Sequence, residues 1–174
     1  MAGGTALSFA RNRMMVLRTA AEEIGRAPMS SLTNNLTDML SQGGEARRGQ
    51  ALTEASMAAG ALVAMADGDV SFAERAVVDQ GIDALAEREA TEPHAAAAAF
   101  DEFVDGMRRN SSQGRGAALR AVQAFGVRPD AMDGPAIVLR IADAVARADG
   151  GVTADEADVI GEIAALLDAP PPAN

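Results

Sequence analysis

Ala66-Asp67-Gly68-Asp69-Val70-Ser71-Phe72-Ala73-Glu74 has a second copy in this chain: shifted by 82 positions, it returns as Ala148-Asp149-Gly150-Gly151-Val152-Thr153-Ala154-Asp155-Glu156. The correspondence extends outward, Val63 and Ala64 falling on Val145 and Ala146, and Val77 and Val78 on Val159 and Ile160. A repeat at fixed spacing sets the architecture before any local assignment. Here it predicts one helix–acidic turn–helix unit used twice. Helix formers precede each copy, over residues 58–66 and 137–148. Gly68 and Gly150 then fall where a helix ends in the left-handed conformation, which glycine adopts without steric cost. Ser71 and Thr153 follow, each with a Glu three residues later. That is the capping box, in which hydroxyl and carboxylate each accept from the other residue's backbone N–H. Asp67 and Asp149 fit less easily, because a carboxylate at a helix C-terminus opposes the dipole at a cost of roughly 0.3–1 kcal/mol. Each is expected to have a compensating partner: a cation, an Arg, or the loop's own N–H groups through an Asx-turn.

The doubled Asp-Gly-x-Val-[Ser/Thr]-x-x-Glu pattern, set in an alanine-rich helical chain, resembles the TerB tellurite-resistance family. The N-terminal region of DjlA-type co-chaperones shares the signature. The resemblance covers roughly residues 50–168 and nothing in residues 1–45. It implies an all-helical domain with pseudo-twofold symmetry, an acidic metal-binding cluster made by the two turns, and a role in tellurite or chemical-stress resistance. One departure matters: Asp69 has Gly151 as its counterpart, so such a site is asymmetric unless Asp155 substitutes.

Composition agrees with helices. Apolar residues make up 48% of the chain, yet aromatics only 3%, so alanine-rich faces must supply the packing. Strands favour β-branched and aromatic residues, and no convincing strand is found. The absence of cysteine excludes disulfides and thiolate metal sites. All 15 basic residues are Arg, and the net charge is −10. It is unevenly placed: residues 1–50 carry +2 and residues 51–174 carry −12. An acidic domain repels nucleic-acid backbones and gathers cations instead, so nucleic-acid binding is set aside. Arg11, Arg13 and Arg18 interrupt any signal-peptide core, and no apolar run is long enough to span a membrane. A cytoplasmic protein is expected.

Along the chain, residues 5–26 read as an amphipathic helix, with Leu7, Ala10, Met14, Leu17, Ala21 and Ile24 on one stripe. Docking on protein is favoured for it over peripheral contact with an anionic membrane. Residues 27–50, rich in Gly, Ser and Asn, read as a flexible linker, so residues 1–45 are expected to lie outside the domain proper. Residues 46–168 are the expected helical domain: a single all-α bundle of two pseudo-symmetric repeats. Its first helix is expected to open near Glu45, a break to fall over residues 110–116, and repeat two to open near Asp130 with its helix starting near Pro135. Residues 169–174 form a Pro-rich tail.

The chemistry on offer is oxygen ligation of a hard divalent cation. The candidate ligands are Asp67, Asp69 and Glu74 in the first turn and Asp149, Asp155 and Glu156 in the second. Calcium is foremost, with magnesium, manganese and zinc as alternatives; no organic cofactor is expected. Capping alone explains Glu74 and Glu156, and a solvated acidic face is the plainer reading of the rest. The turns are not EF-hands: counting Asp67 or Asp149 as the first loop position puts Val78 or Ile160 at the twelfth, where a bidentate Glu belongs. His94 follows Pro93 at a helix start, a surface position. No nucleophile or phosphate-cradling loop accompanies the acids, so no enzymatic activity is expected. Two functions remain. One is a stress-response protein that binds divalent metal at the duplicated turns and works with protein partners. The other is a metal-independent helical adaptor using its helix faces or the N-terminal helix.

Overall fold

The computed structural model describes residues 29–89, 91–128 and 133–171. Among them are six helices and no strand: α1 (Met29–Ala64), α2 (Phe72–Glu89), α3 (Pro93–Arg109), α4 (Ser111–Gly126), α5 (Gly134–Ala146) and α6 (Ala154–Leu166). Chain contacts divide at Gly43/Gly44, and the repeat lies wholly in the Gly44–Asn174 unit. The amphipathic helix expected over residues 5–26 lies outside the described residues.

The second half of α1 is the axle of the bundle. From residue 52 to residue 64 every side chain except Glu54 is buried, so this helix is enclosed on all sides. Its small residues let neighbours approach closely: a Cβ on Gly60 would touch Phe100 of α3, Val78 of α2 and Val145 of α5, each at 3.8–3.9 Å. Around this axle α2 packs on α3 and α5, α3 on α4, and α6 on α4 and α5. Periodicity places Val78, Ile82 and Leu85 inward on α2, Ile137, Ile141, Val145 and Ala148 along the line of α5, and Ile160, Ile163 and Leu167 along that of α6; all are buried except Ile141 and Ala148, which are half-buried. Phe100 and Phe125 are core residues, while His94 is exposed in the first turn of α3, after Pro93.

Two boundaries differ from the sequence expectation. Helix α1 begins at Met29 rather than near Glu45, so much of the expected linker is helical. Glycine lowers helix propensity without forbidding a helix. Gly49 also has a packing role, since a Cβ there would lie 3.1 Å from the Glu89 carbonyl at the end of α2. The expected break over residues 110–116 shrinks to Asn110 alone. Its extended backbone turns the chain, and its side chain caps α4 by accepting from Gln113 N–H at 3.1 Å. The Ser, Gln and Gly that suggested a loop belong to a helix crossing α3 so closely that a Cβ on Gly114 would sit 2.3 Å from Met107 N. Helix α5 begins at Gly134 with Pro135 in its first turn, the helix start expected near Pro135.

Candidate functional site

The repeat is reproduced bond for bond in the two turns. Ala66 N–H donates to Val63 and Gly68 N–H to Met65; 82 residues on, Ala148 donates to Val145 and Gly150 to Arg147. Gly68 and Gly150 have φ of 105° and 100°, the left-handed geometry expected of them. Both capping boxes form. Ser71 N–H donates to Glu74 Oε2 at 2.7 Å and Glu74 N–H to Ser71 Oγ at 3.2 Å. In the second turn, Thr153 N–H donates to Glu156 Oε2 at 2.7 Å and Glu156 N–H to Thr153 Oγ1 at 3.3 Å.

The turns meet at one edge of the bundle. Ser71 Oγ donates to Asp149 Oδ1 at 3.2 Å, a hydrogen bond across 78 residues of sequence. Glu74 lies beside this contact and is only 5% exposed. Burial pushes its carboxyl above the ordinary range; the Ser71 N–H and hydroxyl oppose the shift, and the nearby charges of Asp149 and Asp67 add to it. Asp67 accepts from Asp69 N–H at 3.3 Å, so the loop itself supplies the compensating donor. For Asp149 that donor is the Ser71 hydroxyl.

The six candidate ligands do not form two symmetric sets. Asp67, Glu74 and Asp149 come together across the turns. Asp69 points elsewhere: Arg108 Nη2 donates to its Oδ1 at 2.7 Å, and this hydrogen bond, with that from Val70 N–H, holds its carboxyl below the usual range. Asp155 lines a cavity with Arg108 and Arg115, and Glu156 is occupied in its own capping box. Among the described residues no three acidic, His or Cys side chains are arranged to hold a metal ion. The metal implied by the resemblance therefore has no preformed cage here. Its nearest fit is the Asp67–Glu74–Asp149 edge, where the buried Glu74 feels the charges of the other two and its Oε2 is committed to Ser71.

Sequence reasoning missed Arg108. It lies 39 residues from Asp69, on α3, and no periodicity or motif marks it.

Fold and edge together define a helical domain of duplicated acidic corners, with no strand among the described residues. Residues 53–173 match the family of the tellurite resistance protein TerB, and the chain belongs to that family. Neither a curated protein nor a solved structure matches it. Among the described residues no helix is long and apolar enough to cross a membrane.

Proposed function

We propose that this TerB-family chain is a non-enzymatic, cytoplasmic module of tellurite or chemical-stress resistance that takes a divalent cation at the Asp67–Glu74–Asp149 edge. Protein partners of a stress-response assembly belong to the same proposal. The observation that carries it is Glu74, a carboxyl buried where two turns meet and raised in proton affinity partly by the acids of both. A hard cation relieves that repulsion, and oxygen-rich sites of flexible geometry suit calcium best. Isothermal titration of chelator-treated protein with calcium, magnesium, manganese and zinc tests it. Saturable binding that disappears in Asp67→Asn/Asp149→Asn is the expected result; equal heats in wild type and double variant would sink it. Where binding occurs, free ion at ~100 times its dissociation constant adds about 2.7 kcal/mol of stability.

A second reading, the metal-independent adaptor, is favoured by one observation. Phe72 is 90% exposed beside the acidic edge, an apolar side chain offered to solvent rather than to the core. On that reading chelation leaves partner capture unchanged, whereas Phe72→Ala weakens it.

A further inference from the structure

Beneath the first turn the structure holds a second feature, which the proposed function does not use. A cavity of about 560 Å³ opens between the ends of α1 and α3 and the beginnings of α4 and α6. Ligand pockets range over roughly 300–1,000 Å³. The apolar part of its wall includes Met65, Met107 and Val159; Arg108 and Arg115 supply positive charge, and Asp155 and Asp158 negative charge.

Each charged pair has unused capacity. Arg108 engages Asp69 through Nη2, and Arg115 engages Glu162 through Nη2. A guanidinium carries five N–H donors, so several remain for an incoming carboxylate. Asp155 and Asp158 are exposed and make no hydrogen bond or ion pair with the described residues. Nor are these acids inherited from the repeat: 82 positions earlier stand Ala73 and Ala76.

The mixture of signs selects the ligand. A simple anion meets the repulsion of Asp155 and Asp158, and a simple cation that of Arg108 and Arg115. A molecule carrying both charges on an apolar body satisfies both pairs and covers the methionine-lined wall, whose flexible thioethers adapt to varied shapes. We propose that this cavity binds a dipolar ligand of the amino-acid type. Its carboxylate is held by Arg108 and Arg115, its ammonium by Asp155 and Asp158, and its apolar side chain by Met65 and Met107. A free amino acid and a dipeptide share this chemistry.

The test follows the methionine methyl signals of the full chain by NMR during titration with L-methionine, L-leucine and the dipeptide methionyl-leucine. Saturable shifts of Met65 and Met107 at millimolar concentration or below are expected, and the tighter arm identifies the source. N-acetyl-methionine, which lacks the ammonium, and methionine methyl ester, which lacks the carboxylate, should each bind about tenfold more weakly. Arg115→Gln and Asp158→Asn should weaken the parent ligand to a similar degree, with circular dichroism verifying the fold of both. The proposal is overturned if no dipolar probe gives a saturable shift. It is equally overturned if either blocked analogue binds as well as the parent, or if both variants bind as tightly as wild type.

Discussion

The two turns share a backbone and differ in what surrounds it. Each has the left-handed glycine, the same N–H-to-carbonyl pattern and a complete capping box. Yet Glu74 is buried while Glu156 is half-buried, Phe72 stands where the second copy has Ala154, and Asp69 stands where it has Gly151. The last difference engages α3, because Asp69 is the residue that Arg108 reaches. Duplication thus reproduced a conformation without reproducing an electrostatic environment. Local bonds fixed the first; the helix that happens to lie alongside fixed the second.

That comparison can be broken at several points. Gly68→Ala and Gly150→Ala should destabilise by similar amounts, about 1–2 kcal/mol each, through left-handed strain. A Cβ at either position meets nothing within 4 Å, so strain is the whole effect, and unequal denaturation midpoints would show that the turns are not conformationally equivalent. Ser71→Ala and Thr153→Ala each remove a cap, worth about 1 kcal/mol. Ser71→Ala also unties Asp149, so it should cost more than Thr153→Ala; equal losses in urea unfolding would mean that the link between the turns adds nothing.

Glu74→Gln sharpens the contrast through pH. The folded-state proton affinity of Glu74 is raised, so its contribution to stability is present below its unfolded pKa and lost as pH rises through the folded one. Wild type should lose stability over that interval, and Glu74→Gln should flatten the loss while keeping an oxygen to accept from Ser71. Identical pH profiles for the two proteins would refute the buried-carboxylate account. The smallest effect belongs to Asp69→Asn. Both partners of its pair with Arg108 are solvent-exposed, so stability should barely change, and any change should fade as salt is added.

What the sequence revealed followed the range of the forces involved. The glycines, the caps and the inward faces of α2, α5 and α6 depend on neighbours within a few residues, and all were legible. The meeting of the turns was legible only through the repeat, since Ser71 and Asp149 carry no signal of their own at such a separation. Arg108 was not legible, because pairing between an exposed carboxylate in a turn and an exposed charge on a distant helix leaves no periodic trace. The α3–α4 corner misled for another reason. Gly114 read as a loop residue, but where two helices cross almost backbone to backbone the missing side chain is a packing requirement. The facing of the six candidate ligands was hidden on the same ground as Arg108: chain spacing places an Asp in a turn but does not say which way it faces.

The enclosed half of α1 has a mechanical consequence. Its last buried residue, Ala64, ends the helix at the first turn, so that corner is mounted on a segment hemmed in by close packing. The opposing corner hangs from α5, which presses on the same shaft through Val145. Distances between the two sets of carboxylates are therefore governed by methyl-sized contacts deep inside. Enlarging an alanine in the shaft would retune the edge without touching any of its charges.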